Sequence, residues 1–223
     1  MKKPRSWAKK IVAIIVIVGI LTAGYFYLPS IIGDSVFPLR YENYIKKWAK
    51  EYNEDPFLIA GIAMLESGFN PDARSPVGAL GIMQIMPPTG ASIAKGVGMT
   101  DFTTSKLFDP ETSIRFGTWY IHVMKEKYGG NVVAALAAYN AGSGNADKWL
   151  RAGLLTTPSS NSYARKVLGF VDVYHKLYDN QLRLDNAPAA QPAPIVKVSN
   201  PPPSIVWGQV LKNLVEVFGI QNK

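Results

Sequence analysis

Glu66 ends an apolar run, 56–67, in which no other side chain can ionise. A carboxyl among Ile, Leu and Met neighbours loses the water that stabilises its anion, so its proton is held to higher pH. The negative end of a helix dipole acts in the same direction. A carboxyl still protonated near neutrality is the group that cleavage of a glycosidic bond requires, because the bridging oxygen must be protonated as it leaves. Ser67, Gly68, Phe69, Asn70 and Pro71 follow directly. Two further polar–apolar clusters, Gly81-Ile82-Met83-Gln84 and Ala138-Tyr139-Asn140-Ala141-Gly142, could surround the acid. A glutamate in the last turn of a helix can equally turn out into solvent, and the helix alone leaves both readings open.

The elements that must position Glu66 are legible from caps and stops. Asp55-Pro56 supplies an N-cap followed by proline at the first helical position. The spacing predicts a helix over 56–67, with Ile59, Ile62 and Glu66 on one face and Gly68 as its left-handed stop. A preceding helix spans 41–52, with Tyr44, Ile45 and Trp48 on one face. Residues 69–81 read as a loop with room for a small β-hairpin. Residues 81–86 open a short helix that Pro87-Pro88 breaks, and a polar, glycine-containing stretch follows to Phe108. Asp109-Pro110 repeats the cap-plus-proline signal and starts a helix that ends at Gly129-Gly130. Asn131 caps a helix over 132–141, which stops at Gly142. A short helix over 146–152 and a longer one from Tyr163 to about Asn180 complete a mainly α domain over 41–185. Trp119 and Trp149 read as core residues.

The flanks differ in composition. Residues 11–28 hold 18 positions without a charge. At about 1.5 Å per residue they span roughly 27 Å as a helix, enough for a hydrocarbon core. Lys2, Lys3, Arg5, Lys9 and Lys10 in the flank 1–10 account for five of the net +8, so the rest of the chain is only mildly basic. Such a flank stays on the cytoplasmic side, which places everything after Leu28 outside the cytoplasm. A cleaved signal peptide is the competing reading, but bulky Tyr25, Phe26 and Tyr27 follow Ala23-Gly24 where a cleavage site would need small residues. Residues 29–40 form a juxtamembrane connector. Residues 186–204 form a proline-rich linker, with six prolines in 187–204, and read as a semi-rigid extended spacer. Residues 205–223 read as an amphipathic helix with Trp207, Val210, Leu211, Leu214 and Phe218 as its apolar stripe. Its polar face has no net charge, which favours docking on protein over adhesion to anionic lipid. No basic stripe suits nucleic acid. The chain has no cysteine, hence no disulfide. His122 and His175 belong to no zinc-ligand pattern, so neither metal nor organic cofactor is expected.

The run from Glu66 through Ser75, Gly78, Ala79 and Gly81-Ile82-Met83-Gln84-Ile85-Met86-Pro87 to Thr89 resembles the catalytic domain of the soluble lytic transglycosylases. These are the family 23 enzymes, whose fold is like goose-type lysozyme. Asp109, Pro110, Ile114 and Gly117 match an intervening pattern, and Ala138 to Gly142 match the family's Ala-Tyr-Asn-Ala-Gly block. The resemblance covers about 41–178. It implies an α+β lysozyme-like fold, mainly α, with a central cleft. It also implies that Glu66 is the single catalytic acid and base, with Ser67 beside it as a hydrogen-bond partner of sugar or carboxyl. Met83 and Gln84 match glycan-contacting cleft residues, Tyr139 the phenol that orients the carboxyl, and Asn140 a nearby polar group. Tyr163 matches an aromatic of a late motif that ends here in Lys166-Val167. This chain departs from that motif, having Ser159-Ser160-Asn161 where the family has Glu-Thr-Arg.

The implied reaction is cleavage of peptidoglycan between N-acetylmuramic acid and N-acetylglucosamine, closing a 1,6-anhydro ring on the muramic sugar. A water-using muramidase of the goose-type-lysozyme kind and a non-catalytic, membrane-anchored glycan-binding scaffold are the alternatives. Expected partners are glycan strands, the cytoplasmic membrane through 11–28, and cell-wall machinery through 205–220.

Overall fold

The computed structural model describes residues 16–19 and 36–184. The chain divides into two units, 1–188 and 189–223, and the second lies outside the described residues. So do the basic flank 1–10, the linker 186–204 and the C-terminal helix expected over 205–223. Of the expected membrane segment 11–28, only 16–19 is described, and it is helical. Among the described residues no helix is long and apolar enough to cross a membrane.

Seven α-helices build the domain: α1 (Glu42–Glu51), α2 (Pro56–Ser67), α3 (Pro87–Gly96), α4 (Pro110–Lys127), α5 (Val132–Ala141), α6 (Ser143–Arg151) and α7 (Ser162–Leu182). Short 3-10 helices cover Thr104–Phe108 and Pro158–Ser160. Four of the α-helices start on a side-chain cap. Asp55 accepts from the Phe57 N–H at 2.9 Å, Asp109 from Thr112 at 2.8 Å, Asn131 from Ala134 at 3.0 Å and Asn161 from Ala164 at 2.9 Å. Each satisfies one of the amides that a helix start leaves without a partner.

Helix α2 is the central element. Every residue from Pro56 to Ala63 is buried, which its composition demands, since it has no polar face to offer solvent. It packs most extensively against α7, and the crossing is close at Gly61. A methyl group there would sit 3.1 Å from the Val167 carbonyl oxygen and 3.2 Å from a Val171 methyl. The connector before α1 is tied to α7: Tyr174 donates to the Pro38 carbonyl and Tyr178 to the Phe37 carbonyl, both at 2.8 Å.

Three expectations need correction. Pro87-Pro88 does not break a helix over 81–86; it starts α3, because proline fits the first helical positions, whose amides have no partner. Residues 81–86 form turns instead, and the polar, glycine-containing stretch to Phe108 holds α3 and a 3-10 helix. The hairpin allowed for in 69–81 reduces to two isolated bridges, Arg74 with Leu80 and Leu80 with Ile85.

The turn at Gly81 is where the loop and the body of the domain meet. Its φ is +72°, and a methyl group would lie 1.9 Å from the Leu107 carbonyl oxygen. Backbone strain and overlap with main chain then act together. We expect Gly81→Ala to cost about 3 kcal/mol or more in urea unfolding. Gly78→Ala, also at positive φ but facing open space, should cost only about 1 kcal/mol.

Candidate active site

Glu66 lies in the last turn of α2, two residues before Gly68. Gly68 takes the left-handed conformation (φ +58°) and returns its N–H to the Met64 carbonyl at 3.0 Å, while the Phe69 N–H returns to the Ala63 carbonyl at 3.4 Å. Phe69, also at positive φ (+64°), is fully buried and pins the chain as it leaves the helix. Glu66 is therefore held at the edge of the core, partly covered. Burial pushes its carboxyl above the ordinary range, opposed only by a hydrogen bond from Tyr163. The Tyr163 hydroxyl donates to Glu66 Oε1 at 2.5 Å. Burial, then the nearby Glu66 charge, raise the Tyr163 phenol well above its usual range, so it remains a donor at any working pH.

An opening of about 280 Å³ lies against this pair, lined by Leu65, Glu66, Asn140, Ser162, Tyr163 and Lys166. Glu66 is the one carboxyl on that lining. Other carboxyls have other occupations. Glu54 is buried and bound by Lys125 at 2.6 Å and His122 at 3.2 Å. Asp55 is also pushed upward by burial, but it caps α2 at the end opposite Glu66, roughly 16 Å away along the helix. Asp109 caps α4, and Asp101 pairs with Lys106.

The structure divides the residues singled out from the sequence into two tiers. Glu66, Tyr163 and Asn140 come together at the opening. Ser67, Met83, Gln84 and Tyr139 form the support behind it. Ser67 donates to the Ile82 carbonyl at 2.8 Å, so its proton is spent on the loop. Met83 is fully buried with its side chain packed against Gly117, so that side chain has no access to a glycan. Gln84 sits at positive φ (+48°) and spends its amide on the Gly81 carbonyl at 2.8 Å and that of Ala73 at 3.3 Å. Tyr139 donates to the Met83 carbonyl at 2.9 Å, not to Glu66. Its ring stacks beside that of Tyr163, with centroids 6.5 Å apart, so it positions the phenol that positions the acid. Tyr163, not Tyr139, is thus the phenol bonded to the carboxyl. Sequence reasoning missed Ser162 and Lys166; their signal was spacing, since positions 162, 163 and 166 share a face of α7 once Tyr163 is in the site.

A partly buried acid in the last turn of a core helix, steadied by a phenol and facing an open cleft in a mainly helical domain, fits the lysozyme-like class of glycan-acting folds. Residues 43–153 match the family model described as "Transglycosylase SLT domain", and the domain belongs to that family. It is 38% identical over 115 residues to the soluble lytic murein transglycosylase of Escherichia coli K12, an alignment covering 51% of this chain and 18% of that protein. It is 35% identical over 116 residues to the membrane-bound lytic murein transglycosylase C of Edwardsiella ictaluri, covering 48% of this chain and 32% of the relative. Among solved structures it resembles an inactive glutamate-to-glutamine variant of lytic transglycosylase Slt from Pseudomonas aeruginosa. The TM-score is 0.58 at 29% identity, over 66% of this chain and 25% of the other. The chain therefore spans less than a third of the length of these proteins.

The raised carboxyl links the site to stability. In the unfolded chain Glu66 titrates near 4.5; in the folded protein it titrates higher. Ionising it therefore costs stability as pH rises through that interval, and the cost is absent below 4.5, where both states are protonated. Glu66→Gln should accordingly raise thermal stability at about pH 7, with the gap over wild type closing at about pH 4.

Proposed function

We propose that the chain is a membrane-anchored peptidoglycan lytic transglycosylase. The observation that carries the reading is Glu66 itself: a desolvated carboxyl bonded to Tyr163, alone on its cleft. Two-carboxyl glycosidases need their pair about 5–5.5 Å or about 6.5–9.5 Å apart, and the lining of this cleft offers one. A reaction whose nucleophile belongs to the substrate removes the need for the second.

In this reading Glu66 protonates the oxygen that links N-acetylmuramic acid to N-acetylglucosamine. Tyr163 fixes Oε1, which leaves Oε2 to carry the proton toward the glycosidic oxygen. As the bond breaks, the N-acetyl group of the muramic sugar stabilises the developing cation. Glu66 is now ionised, and the Tyr163 hydrogen bond stabilises it in that form. The carboxylate then takes the proton from the C6 hydroxyl of the same sugar, whose oxygen closes on C1. The products are a 1,6-anhydromuramic end and a free N-acetylglucosamine hydroxyl, and Glu66 is protonated again. The family match and the relatives named lytic murein transglycosylases support this reading.

Glu66→Gln should retain folding and glycan binding while removing turnover on purified sacculi. Mass spectrometry of muropeptides released by the wild type should find ends lighter by one water than hydrolytic ends. Reducing muramic ends would instead indicate the water-using muramidase, and no cleavage at all a binding scaffold.

The apolar segment 11–28 behind its basic flank, together with relatives named membrane-bound, supports a single-pass anchor with the domain in the cell envelope. Residues 205–220 would dock on cell-wall machinery. Removing 1–28 should release active enzyme from the membrane fraction. Removing 205–223 should leave it there and active on sacculi but no longer co-purifying with envelope partners; unchanged fractionation and partners for either truncation would remove the corresponding role.

A further inference from the structure

The polar groups around Glu66 differ in whether the protein itself uses them. Ser67, Gln84, Tyr139 and Tyr163 all hydrogen-bond within the fold. Asn140, Ser162 and Lys166 do not: among the described residues their side chains have no hydrogen-bond or ion-pair partner, although all three line the opening. Ser162 and Lys166 are four residues apart on α7 and therefore neighbours on one face, and Asn140 reaches the opening from α5. An amide NH2, a hydroxyl and an ammonium thus border one space with no internal acceptor.

The first turn of α7 carries no acidic residue that could pair with Lys166. Lys166 lines the same opening as Glu66. A charge so placed can attract an anion on the substrate.

We propose that Lys166, with Ser162 and Asn140, forms a subsite for a carboxylate carried by the muramic sugar of the bound strand. This rests on the glycan reading above and adds to it a selection for acidic substrate. Two carboxylates share the chemistry: the lactyl group, free where the peptide stem has been removed, and the acidic groups of the stem itself.

The test is equilibrium binding to the full-length Glu66→Gln protein, expected to hold glycan without cleaving it, with and without Lys166→Ala. Three strands are compared: peptide-bearing, amidase-stripped with free lactyl carboxylates, and a preparation whose carboxyls have all been converted to amides. Lys166→Ala should weaken binding of one or both acidic strands by about twofold to fivefold, less at high salt, and leave the amidated strand unaffected. The strand that responds identifies the carboxylate, and Lys166→Arg should restore its binding. An equal loss on all three strands, or no loss on any, overturns the subsite. If the Glu66→Gln protein binds none of them, the glycan reading falls with it.

Discussion

The burial of α2 sets the chemistry of this domain. A helix of Pro, Phe, Leu, Ile, Ala, Gly and Met from 56 to 65 has no polar face, so the fold buries it from 56 to 63. The first residue able to ionise after that run is Glu66, which comes just where the helix emerges from cover. Moving the acid one turn earlier would bury an unpaired charge, and moving it past Gly68 would put it on an open loop. Its present place gives partial desolvation, enough to hold the proton and still leave a path to a ligand.

Partial desolvation alone would leave the carboxyl free to rotate. The close approach of α7 at Gly61 prevents this by carrying Tyr163 to hydrogen-bond distance of Oε1. Behind that contact runs a chain of groups with fixed partners. Tyr139 stacks beside Tyr163 and donates to the Met83 carbonyl. The Met83 amide donates to the Ser113 hydroxyl of α4 at 3.2 Å, and Ser67 ties the end of α2 to Ile82. The loop after α2 is thereby anchored to three helices, and the orientation of the acid follows from the positions of α2, α4, α5 and α7 together.

Much of this was readable from the chain because the signals were local. Asp55-Pro56, Asp109-Pro110 and Asn131 mark helix starts by their own chemistry, and each cap is found where it was expected. The missed helix α3 shows the limit of the same logic, since proline both ends and begins helices and only the surrounding packing decides. The site was less legible. Met83 and Gln84 in a cleft motif read as glycan contacts and Tyr139 as the phenol on the carboxyl, yet all three turn inward, a fact set by tertiary neighbours such as Gly117 and Gly81. Asn161 shows the converse. Counted in the sequence as part of a departure from the late motif, it caps α7 and so starts the helix that delivers Tyr163.

The account rests on a glutamate that keeps its proton beyond the usual carboxyl range because water is withheld and a phenol holds it still. Carbon-13 NMR of the Glu66 side-chain carboxyl across pH measures this directly. The expected midpoint lies above the ordinary 4.5 and moves higher still in Tyr163→Phe, where the bond favouring the ion is lost. A midpoint at the ordinary value, indifferent to Tyr163, would contradict it.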